Sequence, residues 1–171
     1  MLTFITGGAR SGKSSFAVNK ALKLSENPVY IATARVWDKE FEQRVNRHKE
    51  ERGPEWTTYE AWKDLSSLPL QGRTVVIDCV TLWLTNFFVE YKEDVDRCLD
   101  VFKKEIDELL KIEAEFLLIS NEIGMGVHAH SESGRKFTDL QGWANQYAAS
   151  KAENVIFMVS GLPMTLKGNS K

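Results

Sequence analysis

Gly7-Gly8-Ala9-Arg10-Ser11-Gly12-Lys13-Ser14 matches the spacing G-x-x-x-x-G-K-[ST] at every fixed position. Before it, Leu2-Thr3-Phe4-Ile5 is a short apolar run with the character of a strand. After it, the stretch 15–24 carries Phe16, Ala17, Ala21 and Leu24 at helical intervals, which predicts a helix with that stripe against a sheet. A strand, a glycine-containing turn and a helix in that order make a phosphate loop. Glycine lets the main chain turn so that successive N–H groups converge on an anion. Lys13 is placed to reach the β- and γ-phosphates, and the Ser14 hydroxyl to join the shell of a Mg²⁺ ion. The helix that follows puts its positive end under the phosphates. An ordinary glycine-rich turn would leave both Lys13 and Ser14 unexplained.

Working outward, Asn27-Pro28 ends the first unit, and the apolar run 29–34 predicts a second strand buried on both faces. The run 56–59 has the composition of a further short strand, and 61–65 that of a short helical turn. Thr74-Val75-Val76-Ile77-Asp78 is a β-branched run ending in an acid. In phosphate-loop proteins an aspartate at that place binds Mg²⁺ directly or through water, so Asp78 pairs with Ser14 as the candidate metal-binding set. The runs 115–120 and 155–159 complete the predicted core strands. Between them, Val95, Leu99, Phe102, Ile106, Leu109 and Leu110 predict a long amphipathic helix, and 134–149 another. Trp83, Leu84, Phe87 and Phe88 form an aromatic cluster suited to a core or a subunit contact. The expected fold is α/β: a RecA-like phosphate-loop fold of about five mainly parallel strands flanked by helices. It is expected to form one domain over 1–171, with a loosely packed end after Gly161-Leu162-Pro163-Met164.

Composition narrows the function. The chain has 171 residues, is 43% hydrophobic, and sets 22 Lys and Arg against 24 Asp and Glu. Charge this balanced gives no electrostatic case for nucleic acid or an anionic membrane. No run is long enough to span a bilayer, and the first apolar run is too short for a signal peptide. Cys79 and Cys98 have neither metal-site spacing nor the density of a disulfide scaffold, which favours a reducing, cytoplasmic setting.

Two further segments carry chemistry. The stretch 38–52 is a charged helix by pattern, with Phe41 and Val45 as a thin apolar stripe, and Arg44, His48 and Arg52 four apart on one face. A solvated helix whose charges do nothing specific explains the same composition. The segment Asn121-Glu122-Ile123-Gly124-Met125-Gly126-Val127 leaves a predicted strand as a loop. Ligand groups gather at the carboxyl ends of parallel strands, so Glu122, Gly124 and Gly126 are a candidate substrate loop. His128 and His130 follow without further ligands at recognisable spacing.

At this point the sequence resembles a known family, the bifunctional adenosylcobinamide kinase and adenosylcobinamide-phosphate guanylyltransferases of cobalamin biosynthesis. The resemblance spans nearly the whole chain. It rests on Thr6 through Ser14, Tyr30-Ile31-Ala32-Thr33-Ala34, 44–52, Trp56, Glu60, 76–81, Leu84-Thr85-Asn86 and 120–127. Arg135, Phe137, Asp139, Gly142, Asn145, Gln146 and Val159-Ser160-Gly161 complete it. The joint presence of G-G-A-R-S-G-K-S and N-E-I-G-x-G makes it specific.

The resemblance implies two activities: phosphorylation of adenosylcobinamide with ATP or GTP, then transfer of GMP from GTP to the new phosphate, giving adenosylcobinamide-GDP. It implies a guanylylated histidine at His48, with Lys13 as the second catalytic residue. It also implies a nucleotide site of Gly7, Gly8, Ala9, Arg10, Ser11, Gly12, Lys13, Ser14, Ala32, Thr33, Ala34, Arg52, Glu60 and Asp78. Mg²⁺, a cytoplasmic setting and a homotrimer with sites near subunit contacts belong to the same expectation. A histidine nucleophile splits one transfer into two displacements at phosphorus, and an imidazole of ordinary pKa, about 6.5, is largely neutral near pH 7.

There are departures from the family pattern. His128-Ala129-His130 stands where Val-Pro-Glu is common, and Thr138 stands where an arginine often precedes the aspartate. Three other readings stay open at this level: a small-metabolite kinase with a structural His48, a nucleotide-gated binding module, and a protein that keeps only one of the two activities.

Overall fold

The computed structural model describes residues 1–35 and 53–168. The charged helix expected over 38–52, with Arg44, His48 and Arg52, lies outside the described residues.

Among the described residues seven strands form one sheet: β1 (Leu2–Gly7), β2 (Val29–Ala32), β3 (Thr57–Glu60), β4 (Thr74–Asp78), β5 (Glu115–Ile119), β6 (Asn154–Val159) and β7 (Leu162–Lys167). Their spatial order is β3-β2-β4-β5-β1-β6-β7. The first six run parallel, and β7 returns antiparallel along β6. Four described α-helices flank the sheet: α1 (Lys13–Leu24), α2 (Val80–Glu90), α3 (Val95–Leu109) and α4 (Glu132–Lys151).

Alternation along the strands divides the core into two layers, as a period of two requires. Phe4, Ile31, Val75, Ile77, Phe116 and Leu118 face one side, where they meet Trp83, Phe87, Phe102 and Ile106 of α2 and α3 and Leu140, Ala144 and Ala148 of α4. Ile5, Tyr30, Val76, Leu117 and Ile119 face the other, against Ala17 and Ala21 of α1. Both faces are therefore covered, which is why the central strands read as continuous apolar runs. Trp83 is fully buried, and its indole N–H donates to the Trp62 carbonyl at 2.7 Å, so its one polar atom is satisfied. The aromatic cluster expected from the sequence is core. Asp94 caps the start of α3: its carboxylate accepts from the Arg97 amide at 3.0 Å.

The sheet is wider than the five strands expected. β3 forms where a short strand was a candidate. β7 is new: the end that reads as loosely packed pairs with β6 from Val159↔Leu162 to Val155↔Lys167, with a register shift at Val155/Ile156. All six residues of β7 are exposed, and Pro163 is tolerated because the strand lies at the sheet edge. A solvated strand carries no burial signature, so the apolar pattern missed it. β2 stops at Ala32, leaving Thr33 and Ala34 in the following loop, and the helical turn sits at Leu65–Ser67. Leu24 is 51% exposed, so the sheet-facing stripe of α1 is Ala17 and Ala21, with Phe16 partly buried. No described helix is long and apolar enough to cross a membrane.

Phe102 is fully buried, edge-on to Trp83 at a centroid separation of 5.4 Å. Phe102→Ala should cost about 3–5 kcal/mol of stability, read as a lower urea midpoint. A loss under about 1 kcal/mol would mean that the helical layer is loosely packed.

Candidate functional site

The site forms where the chain changes sides. β1 leads into α1 on one face, whereas its neighbour β5 leads through the loop 120–131 into α4 on the other. Adjacent strands whose connections leave on opposite faces open a crevice at their carboxyl ends, and ligands bind in such crevices. The phosphate loop lines one wall and the Asn121–Gly126 segment the other. They are joined by a main-chain bond in which the Glu122 N–H donates to the Gly7 carbonyl at 2.9 Å.

The phosphate loop is shaped before any ligand arrives. Gly12 adopts φ +93° and immediately precedes α1, and a Cβ there would lie 3.2 Å from the Gly161 Cα. That combination of left-handed backbone and close approach suits glycine alone. The Gly161 N–H donates to the Ser11 carbonyl at 3.0 Å, so the β6–β7 turn holds the loop from outside. Gly8, Ala9 and Arg10 are exposed, whereas Ser11 and Lys13 are buried. The Lys13 ammonium donates to the Gly8 carbonyl at 2.5 Å and to Ser11 Oγ at 3.4 Å, lying back along the loop that it would leave to reach a phosphate. Burial holds the Lys13 pKa below the ordinary lysine value, opposed by the negative charge of Asp78 nearby.

Ser14, Asp78 and Tyr30 converge. The Ser14 hydroxyl donates to Asp78 Oδ2 at 3.1 Å, and the Tyr30 phenol donates to the same oxygen at 2.6 Å. A serine hydroxyl and a carboxylate are hard oxygen donors of the kind Mg²⁺ takes alongside water and phosphate. The set fits that ion. Cys79 is buried beside Asp78, and burial with that negative neighbour pushes its thiol up to about 12, so it is no thiolate nucleophile.

The remaining sequence candidates spread along the same edge. Register places Glu60, Ala32, Asp78, Ile119 and Ile5 in one row across β3, β2, β4, β5 and β1. Glu60 is exposed and two strands from Asp78, roughly 10 Å at the usual strand spacing. It therefore lies at the outer edge of the sheet, away from the phosphate loop. Thr33 is fully buried and structural in its contacts: its N–H donates to the Asp78 carbonyl at 3.0 Å, and its carbonyl accepts from Asn86 at 2.7 Å. Glu122 Oε1 accepts from the Gly124 amide at 2.7 Å and so shapes its own loop. Gly124 and Gly126 line a cleft of about 460 Å³ between that loop and α4, with Arg135, Asp139, Trp143 and Gln146 opposite. His128 also lines it, and among the described residues no group of three or more metal-binding side chains occurs.

The pattern reading missed the groups that hold these walls in place. Asn121 is fixed by its amide and side-chain bonds to Thr81 Oγ1 at 3.3 and 3.0 Å, and its carbonyl accepts from Asn145 at 3.1 Å. Behind it, Ser120, Gln141 and Asn145 form a buried polar cluster. Tyr30 was missed because it sits in an apolar strand. The available signal was its hydroxyl, since a buried phenol needs a partner.

A model of the family described as cobinamide kinase / cobinamide phosphate guanyltransferase matches residues 3–166. The chain belongs to this family. It is 39% identical over 173 residues to the bifunctional adenosylcobalamin biosynthesis protein CobP of Pseudomonas aeruginosa, covering 98% of each chain. It is 33% identical to the bifunctional adenosylcobalamin biosynthesis protein CobU of Escherichia coli, covering 98% of this chain and all of the relative. The Salmonella typhimurium protein of that name is 32% identical at the same coverage. Membership in a family of cobinamide kinases agrees with a glycine-containing loop of phosphate-loop spacing at the carboxyl edge of a parallel sheet.

Lys13 gives a prediction with two signs. Because folding lowers its pKa, the charged side chain costs stability at every pH below the lowered value, and the cost fades between there and 10.5. Lys13→Met should therefore leave the Tm without nucleotide unchanged or raised. GTP affinity should fall on the order of 10- to 100-fold, since a hydrogen bond to a charged group contributes about 1.5–3 kcal/mol. Thermal melts with and without GTP read both effects.

Proposed function

We infer that this chain phosphorylates adenosylcobinamide with ATP or GTP and then transfers GMP from GTP to adenosylcobinamide phosphate. The reading is carried by the phosphate loop, with Lys13 folded along it and Ser14 bonded to Asp78, in a chain whose family bears both activities by name. In the kinase step an acceptor hydroxyl oxygen bonds to the γ-phosphorus as the β–γ bridge breaks and the nucleoside diphosphate leaves. The main-chain N–H groups of 8–14 hold the phosphates, and Lys13 leaves the Gly8 carbonyl to neutralise the β- and γ-oxygens. Ser14 and Asp78 hold Mg²⁺, which when bound screens the charge on those oxygens. Ala32 and Ala34 extend the nucleotide site along the edge from Asp78, with Thr33 buried behind them and Glu60 at its outer end. Glu122, Gly124 and Gly126 present the acceptor from the opposite wall, where the cleft beside α4 receives it.

In the transferase step an imidazole nitrogen of His48 attacks the α-phosphorus of GTP and pyrophosphate leaves. The acceptor phosphate then attacks the same phosphorus, breaks the P–N bond and gives adenosylcobinamide-GDP. Arg52 stabilises charge on the transferred group. The insertion of β5 between the phosphate-loop strand β1 and the Asp78 strand β4 supports a RecA-like core, within one domain that spans the chain. We place the enzyme in the cytoplasm as a homotrimer with its sites near subunit contacts.

Incubation with α-³²P-GTP and Mg²⁺, then denaturing electrophoresis, tests the assignment. Wild type should carry an acid-labile, alkali-stable label that is lost in His48→Ala, while γ-³²P transfer to adenosylcobinamide persists. Full labelling of the His48→Ala protein would remove His48 from the mechanism. An unlabelled wild type that still transfers γ-phosphate would reduce the protein to a kinase.

A further inference from the structure

We propose that Tyr30 is a positioning residue for magnesium: its phenol fixes the Asp78 carboxylate in the orientation that the metal site needs. The inference rests on the proposed nucleotide site and adds a residue to it.

Three observations carry it. The first is geometry. The Tyr30 hydroxyl lies 2.6 Å from Asp78 Oδ2, the same oxygen that accepts from Ser14 at 3.1 Å. One carboxylate oxygen is thus held from two sides, from β2 and from the first turn of α1, and the rotation of the carboxylate plane is set by both. The second is rigidity. Tyr30 is 4% exposed, and its ring packs edge-on against Trp56 at 6.0 Å with an interplanar angle of 80°. β2 is hydrogen-bonded in register with β4, Ala32 opposite Asp78, so the backbones carrying the two residues cannot shift independently. The third is chemistry. The phenol can only donate to a carboxylate oxygen here, and a group that donates to a metal-binding carboxylate orients it without competing for the ion.

The Ser14 hydroxyl gains from the same arrangement. With its proton directed at Asp78 Oδ2, its lone pairs face away from the carboxylate and can meet an ion. A carboxylate free to rotate would accept from Ser14 in several orientations and present the hydroxyl lone pairs in as many. Tyr30 selects one of them. Its effect should therefore appear in the metal requirement of nucleotide binding, with the phosphate contacts of the loop untouched.

Tyr30→Phe deletes the hydroxyl and keeps the ring against Trp56. GTP affinity is measured by titration calorimetry, first in EDTA and then across a Mg²⁺ series, for wild type and variant. The metal-free affinity of the variant should match wild type. The Mg²⁺ concentration giving half of the metal-dependent gain should rise about tenfold, the lower end of what loss of a supporting hydrogen bond costs a metal site. Mn²⁺ binding to the GTP complex, followed by electron paramagnetic resonance, should weaken by a similar factor, and kinase turnover should recover at high Mg²⁺. An unchanged Mg²⁺ midpoint would overturn the inference. Equal weakening with and without metal would also overturn it, since that is the mark of a merely structural tyrosine. A wild type that binds GTP with no metal-dependent gain would instead overturn the underlying assignment of Ser14 and Asp78.

Discussion

Everything at this site depends on how the phosphate loop is clamped. A run of exposed backbone with converging N–H groups has no reason to keep its shape by itself. Here it is held at both ends and from both sides. β1 feeds it from the centre of the sheet, and α1 begins one residue after the left-handed Gly12. The Gly161 amide holds Ser11 from the β6–β7 turn, and the Glu122 amide holds Gly7 from the β5 loop. Each clamp is a main-chain bond, so its cost was met in folding and none remains when a phosphate arrives. That is the physical content of preorganisation for charge stabilisation.

The same clamp couples the two walls of the crevice. Glu122 is bonded through its N–H to the phosphate loop and through its carboxylate to Gly124. Asn121, its neighbour, is tied to Thr81 at the start of α2 and to Asn145 on α4. A displacement of the 121–126 loop is thus passed directly to the loop at 7–14. Buried polar clusters such as Ser120, Gln141 and Asn145 cost desolvation. Their hydrogen bonds fix one loop conformation where apolar packing would allow several.

The sequence made the frame legible because buried parallel strands and a phosphate loop leave strong marks. The runs at 29–32, 74–78 and 115–119 are apolar on both faces, and the loop carries a fixed spacing of glycine, lysine and serine. Asp78 stood out in the sequence as the acid that ends a β-branched run in a chain with a phosphate loop, and its Oδ2 accepts from the Ser14 hydroxyl at 3.1 Å. β7 was illegible because none of its residues is buried. Tyr30 was illegible because its apolar neighbours and its own ring read as core, while its hydroxyl acts across two strands. The polar support behind Asn121 could not be found from pattern either, since Thr81, Ser120 and Asn145 are distant in sequence and no periodicity joins them.

The central claim is that one crevice, between the loop after β1 and the loop after β5, seats the triphosphate. A crystal structure of the protein with Mg²⁺ and a non-hydrolysable GTP analogue tests it most directly. Phosphate oxygens should then lie within hydrogen-bonding distance of the 8–14 main-chain N–H groups, with Lys13 turned from the Gly8 carbonyl to the β- and γ-phosphates and the metal on Ser14. A triphosphate seated instead in the cleft against Arg135 and Trp143, with Lys13 still on the Gly8 carbonyl, would contradict it.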